Sequence, residues 1–356
     1  MGTLFNNAHC QSPVCNPSRA SMMTGRYPHT SGVYFLSPDL KEAPVLKNLK
    51  TMPEVFAHHG YKTMAAGKIY HTRDHRFFQS YKPTGGFGPR PKKKISQPQG
   101  HPLWDWGIFP DDDNVMPDMK CAKWAVDQLS QKHDKPFFMG VGFYRPHVPM
   151  FATKKWFDMH PKDKIKLPAV PGDDLKDLSQ YAIDLTNLEH VSPTHKWVTG
   201  AGQWEHAVQS YLASVTFADH CLGLVLDALE KSEYADNTII ALFSDHGFHL
   251  GEKERWAKRS LWEDGTRVPV VVAAPGHKAA QKTNRPAELL DIFPTLLELA
   301  GLPKDETQEG QSLVPLMKKP QREWNHPAIT SFGLGNYSVR STNYRFIQSF
   351  DGSREL

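Results

Sequence analysis

The stretch Cys15-Asn16-Pro17-Ser18-Arg19-Ala20-Ser21-Met22-Met23-Thr24-Gly25-Arg26 reads as a short capped helix with a reactive atom at its mouth. Asn16 has the chemistry of an N-cap, Pro17 fits the first helical position, and Gly25 can close the helix in a left-handed conformation. Cys15 is then expected where free backbone N–H groups and the positive helix end gather, a setting that favours anions. Arg19, four residues on, shares its face.

Outward from this helix the chain alternates helical and strand patterns. Thr51-Met52-Pro53-Glu54 is a capping box with an early proline, opening a helix that ends at Gly60. Residues 61–66 predict a strand that delivers Gly67-Lys68-Ile69-Tyr70-His71 at its end. Residues 83–100 are rich in Gly, Pro and Lys and predict a loop; its Lys92-Lys93-Lys94 either faces solvent or forms a lip for an anion. A helix is predicted over 117–131 and an apolar strand over 136–143, followed by Tyr144-Arg145-Pro146-His147-Val148-Pro149. Residues 162–202 read as an irregular surface excursion. The longest helix is predicted over 204–231, with Val208, Tyr211, Leu212, Val215, Leu222, Val225, Leu226 and Leu229 as its core stripe. A buried strand over 237–243 ends in Ser244-Asp245-His246-Gly247. A strand over 268–274, a helix over 288–300 with an irregularity at Pro294, and a hairpin around Thr342-Asn343 complete the pattern.

This alternation predicts an α/β sandwich with a largely parallel central sheet flanked by helices. Ligands of such folds sit at the carboxyl ends of strands. Lys68, His71, His147, Asp245 and His246 all follow predicted strands. The 356 residues exceed what one small core needs, so one large domain, with or without a small appendage, is expected. A 39% apolar content without a long apolar run predicts a soluble globular protein with no membrane partner. A net charge of +4 gives no argument for nucleic acid, though it would not repel a polyanion. The four cysteines, Cys10, Cys15, Cys121 and Cys221, show no metal-type spacing and no complete disulfide framework, which leaves the redox compartment open.

Cys15-Asn16-Pro17-Ser18-Arg19, with Thr24-Gly25-Arg26 behind it, resembles the signature of the type I sulfatases, in the iduronate-2-sulfatase-like branch of the alkaline phosphatase superfamily. The resemblance implies that fold, with the start of a small antiparallel C-terminal subdomain. The implied boundaries are a catalytic domain over 1–318 and a partial subdomain over 319–356. It further implies that a maturation enzyme oxidises Cys15 to formylglycine, whose hydrate attacks a sulfate ester and later collapses to the aldehyde, releasing sulfate. An unmodified thiol could not perform that collapse.

Further segments extend the resemblance from about residue 5 to about 316. Gly60-Tyr61-Lys62-Thr63 through Gly67-Lys68 implies Lys68 as a ligand of sulfate oxygens and His71 as a partner of the hydrate. Arg145-Pro146-His147-Val148-Pro149 implies His147 beside the sulfate or the leaving oxygen, as proton donor. Ser244-Asp245-His246-Gly247 with Lys258 implies Asp245 and His246 as calcium ligands and Lys258 as a sulfate ligand; Arg19 adds fixed positive charge. Calcium prefers oxygen, so Asp245 suits it better than His246. The family's first strand, ending in an Asp-Asp pair that also binds calcium, has no match here, and the chain reads as trimmed at both ends. Weak or absent metal binding is expected on that account. The implied substrate is a sulfated sugar, with Asp74 and His75 as candidates to face a carboxylate. The implied location is secreted, periplasmic or lysosome-like. Two alternatives stay open: a phosphonate or phosphodiester hydrolase of the same superfamily, and an inactive fragment that binds glycans.

Overall fold

The computed structural model describes residues 2–71, 77–98, 100–186 and 190–356. Asp74 and His75 lie outside the described residues. Two sheets carry the fold. In the first, the strand Thr3–His9 is central. It runs parallel to Gln281–Glu288 and antiparallel to Arg267–Val268 and Val270–Ala273; Ile240–Phe243 joins antiparallel to Val270–Ala273. In the second, Lys62–Gly67 lies between Ser80–Lys82 and Phe137–Gly142, all parallel. The expected α/β class is therefore present. Its parallel character resides in the second sheet, in the Thr3–His9 and Gln281–Glu288 pair, and in a separate pair of Trp106–Ile108 with Met150–Ala152.

The central strand is buried along most of its length, and Phe5, Val270, Val272, Leu289, Phe293 and Leu297 pack into one core beneath the helix Ile292–Leu299. That helix starts after a 3-10 turn, Leu289–Asp291, so Pro294 falls in its first turn, where a missing N–H costs nothing. Residues 162–202 are less irregular than expected, since Gln180–Thr186 and His195–Gly200 are helical.

The helix Trp204–Glu230 corrects the sequence reading in two ways. It is long and apolar enough in composition to cross a bilayer. Yet it buries Ala207, Ser210, Ala213, Ser214, Phe217 and Cys221, and packs on the helix Pro117–Leu129 and the strand Met150–Ala152. The expected stripe meets the core only in part, through Val208 and Leu229, which are buried. Val215 is exposed, and Leu222, Val225 and Leu226 are half-buried. Small side chains line the contact because they let the two helices approach closely, and a pattern that counts only large apolar residues passes over them.

Ala328–Ser331, Tyr337–Arg340, Arg345–Gln348 and Arg354–Glu355 form a four-stranded antiparallel sheet that contains the expected hairpin. It is fastened to the end of the first strand by Ser331 N–H donating to the Gln11 carbonyl (2.9 Å) and by Thr330 Oγ1 donating to the Cys10 carbonyl (2.6 Å).

Candidate active site

Four strand ends point to one place. Thr3–His9 leads to Cys15, Lys62–Gly67 to Lys68, Phe137–Gly142 to His147, and Ile240–Phe243 to Asp245 and His246. Cys15 is 3% exposed and begins the helix Cys15–Thr24. The N-cap is Val14, not Asn16. The extended Val14 offers its carbonyl to Ser18 N–H (3.1 Å), while the Asn16 amide donates to the carbonyls of Phe35 (2.8 Å) and Pro38 (3.0 Å). Asn16 thus ties the helix to the following loop, and Cys15 sits inside the first turn. Gly25 closes the helix with φ 70°, as expected.

Around the sulfur stand Lys258 Nζ at 3.0 Å, His246 Nε2 at 3.2 Å and Lys68 Nζ at 3.7 Å. His147 hydrogen-bonds it as well. Burial alone would raise the Cys15 pKa; Lys258, Lys68, His246 and His147 outweigh it and hold the thiol well below its ordinary value. Lys68 is lowered by burial, against the pull of Cys15. Burial together with Lys258 and Lys68 pushes His147 down to about 3, although its bond to Cys15 opposes this. His147 Nδ1 lies 2.7 Å from the Val148 carbonyl and His246 Nδ1 lies 2.8 Å from that of Gly247. A carbonyl accepts only, so each Nδ1 carries a proton, and His246 turns its Nε2 to the sulfur.

Arg19 braces the pocket. Its Nε donates to Asp245 Oδ2, and its Nη1 donates to the carbonyls of Lys68 and Ile69, all at 2.7 Å. Burial would raise the Asp245 pKa, but Arg19 and then His246 hold it far below the usual carboxylate range. His71 stays apart: exposed at the rim, it makes no hydrogen bond to Cys15 among the described residues. Desolvation lowers its pKa, Cys15 opposes this, and Lys68, Arg19 and Lys258 add to it, so its charge is coupled to the pocket.

Several positioning residues escaped the sequence reading. Arg255 is fully buried and grips the Lys258 carbonyl through Nε (3.1 Å) and Nη2 (2.7 Å). Ala257 (φ 71°) and Arg259 (φ 73°), on either side of Lys258, are left-handed, a strained setting that turns the lysine inward. Asp118 Oδ1 accepts from the backbone N–H of Tyr144 (2.7 Å) and Arg145 (3.0 Å), fixing the loop that carries His147. Gly67 and Gly142 pair across the second sheet, where a Cβ on Gly67 would lie 2.0 Å from the Gly142 carbonyl oxygen. The Phe87 ring packs 4.8 Å from that of His147. Phe87 and Arg255 carry no local motif; the two glycines signal only that some backbone approaches closely.

For a cation the chain offers Asp245 Oδ1, His246 Nε2 and position 15, whose ligand atoms lie within 4.8 Å of one another. With its Nδ1 held by the Gly247 carbonyl, the His246 ring can offer Nε2 as a ligand. Asp245 Oδ2 is already committed to Arg19. The set fits one side of a calcium shell, which takes six to eight oxygen ligands.

A family model described as Sulfatase matches residues 1–302. The chain belongs to the sulfatase family. This sulfatase is accordingly a sulfuric ester hydrolase of the alkaline phosphatase superfamily, and sulfatases generally use Ca2+ and formylglycine. A sulfatase of Formosa agariphila is 40% identical over 373 residues, which cover 100% of this chain and 73% of that protein. Iduronate 2-sulfatase of Mus musculus is 29% identical over 433 residues, covering 96% and 77%. A solved 2-O GAG sulfatase shares the fold, with a TM-score of 0.74 at 22% identity over 100% of this chain and 77% of its own.

Proposed function

We propose that this sulfatase removes sulfate from a sulfated sugar, a uronic acid of a polysaccharide, through position 15. The observation that carries the reading is the convergence of Lys258, Lys68, His246 and His147 on the Cys15 sulfur from separate segments. Such a pocket holds a tetrahedral oxyanion by fixed positive charge in a site with little water. The sulfated uronic acid follows the named relative, iduronate 2-sulfatase. Residues 1–318 are taken as the catalytic domain and 319–356 as part of a C-terminal subdomain. An exported or lysosome-like location belongs to the same reading.

In this mechanism a maturation enzyme converts Cys15 to formylglycine, which supplies one hydroxyl to attack sulfur and a second to expel sulfate. Lys258 and Lys68 neutralise the sulfate oxygens. Arg19 holds Asp245 and the Lys68 backbone in place. Asp245 and His246 would hold a calcium ion, which would supply positive charge at the sulfate. His147, neutral with Nε2 bare, accepts a hydrogen bond from the position-15 hydroxyl. As that hydroxyl attacks sulfur its proton passes to His147, and the protonated ring then delivers it to the leaving oxygen. His71 contacts substrate at the rim.

Mass spectrometry of the peptide carrying position 15, followed by turnover of an aryl sulfate and an aryl phosphonate, tests the reading. An aldehyde at position 15 and preference for the sulfate are expected. A free thiol from a host that matures sulfatases would sink the reading, and preference for the phosphonate would move the activity to phosphorus esters.

A further inference from the structure

We propose that the loop from Phe87 to Ser96 is a subsite for a second anionic group of the substrate, one sugar along the polysaccharide from the ester that is cleaved. This rests on the sulfatase reading above and adds to it a preference for polyanionic chains over single sulfated sugars.

The loop reads Phe87-Gly88-Pro89-Arg90-Pro91-Lys92-Lys93-Lys94-Ile95-Ser96. It holds four cations and no acid, while the whole chain has a net charge of +4. The rest of the molecule is therefore balanced, and its excess charge sits here. Arg90, Lys92 and Lys93 are exposed and Lys94 is half-buried. Among the described residues no carboxylate pairs with any of the four. Four like charges packed together repel one another, an arrangement that an incoming anion relieves.

The position follows from the two anchors of the loop. At one end the Phe87 ring contacts His147, and Lys68 Nζ lies 5.7 Å from its centroid. Arg145 clamps this end through Nη2 to the Phe87 carbonyl (3.3 Å) and Nε to the Phe151 carbonyl (2.9 Å). At the other end, Ile95 N–H and Ser96 N–H donate to the Asp105 carboxylate at 2.9 and 2.8 Å. Arg90 is three residues from Phe87, so its Cα lies within roughly 11 Å of one that touches the pocket. Arg90 is thus held near the pocket, and Pro89 and Pro91 reduce the entropy lost on binding.

Between the anchors lies a cavity of about 60 Å³, lined by Arg90, Lys94, Leu103, Pro149, Phe151 and their neighbours. Pro149 is two residues from His147. The cavity has room for a sulfate or carboxylate substituent. Asp105 also lines it, but its oxygens are taken by Ile95, Ser96 and Trp106 N–H groups, which offset its charge. The opening suits one anionic substituent, with the ring lying over the apolar Leu103 and Pro149.

The test compares the matured enzyme with R90Q/K92Q/K93Q/K94Q, and with K92Q/K93Q should the fourfold variant fold poorly. A heparin octasaccharide and a monosulfated uronic monosaccharide serve as substrates. The KM for the octasaccharide is expected to rise about tenfold or more, and that for the monosaccharide by less than twofold, as suits charges at the rim. In a C15A background, octasaccharide affinity should weaken likewise, and its log–log salt slope should fall by about 2–3 as fewer counterions are released. Equal KM changes for both substrates, or an unchanged octasaccharide affinity, would overturn the subsite. So would single-stranded DNA of matched charge that binds the parent as tightly and loses as much. If neither substrate turns over, the sulfatase reading fails, while the binding measurement still judges the loop.

Discussion

Replacing Lys258 by methionine keeps the stem and removes the charge nearest to position 15. The ammonium lies 3.0 Å from the Cys15 sulfur, where a sulfate oxygen would approach. Lys258 is half-buried, so an effective dielectric near 20 applies, and a unit charge at 4 Å is then worth about 4 kcal/mol. Removing a single oxyanion donor from an enzyme costs about 2.7–4 kcal/mol, or 10²–10³ in kcat. We therefore expect kcat on an aryl sulfate to fall about 10²–10³-fold. Stability should respond in the opposite sense. Lys68 Nζ is 3.7 Å from the same sulfur, so the two nitrogens are no more than 6.7 Å apart (3.0 plus 3.7). At that separation they repel by about 2 kcal/mol at the same dielectric. In the matured protein position 15 is uncharged, and K258M should raise Tm by a few degrees, about 2–4 °C per kcal/mol. In the unprocessed protein the buried thiolate needs Lys258, and the same variant should lower Tm. Steady-state kinetics and calorimetry on both forms check this. A fall in kcat of less than tenfold, or a lower Tm in the matured form, would refute the view that Lys258 is held there for charge at the expense of stability.

Three further outcomes follow from the same geometry. In R19K one ammonium cannot serve Asp245, the Lys68 carbonyl and the Ile69 carbonyl together, so kcat should fall about 10²-fold and stability by about 2 kcal/mol, read by kinetics and denaturant midpoints; an unmoved midpoint would remove its bracing role. In G142A the new Cβ would meet the Lys68 carbonyl oxygen at 2.2 Å, and a loss of about 3 kcal/mol or more is expected in chemical denaturation; a loss under 1 kcal/mol would mean that the strand crossing is soft. Glu288 and Asp291 form a buried acidic pair whose pKa values are pushed up, first by burial, with Asp291 adding to Glu288. A raised folded pKa means that the unfolded chain releases its proton first, so the contribution is full below about pH 4, is lost as pH rises from there through about 8, and levels off above. E288Q should flatten that slope in Tm measured from pH 5 to 8, and an unchanged slope would place its origin elsewhere.

How much of this site could be read along the chain depends on how local its chemistry is. The helix with Gly25 at its end, and the rule that ligands gather at strand ends, involve neighbours in sequence, and both are realised. The cap was misjudged because two residues competed for it: Asn16 found carbonyls at Phe35 and Pro38, which no local pattern foretells, and the extended Val14 took the vacated position. Lys258 was found through its motif, but the cause of its orientation was not. The orienting groups are the left-handed backbone on either side and the buried Arg255 guanidinium on its carbonyl. Gly67 and Gly142 make the distinction sharpest. Each looks like a loop or strand-end glycine, yet they pair in register, and Lys68 N–H donates to the Gly142 carbonyl at 2.8 Å. The same contact that forbids a side chain at either position sets the height at which Lys68 leaves its sheet. The placement of Lys68 is thus encoded in two residues without side chains, 75 positions apart, and only the register of the folded sheet brings them together.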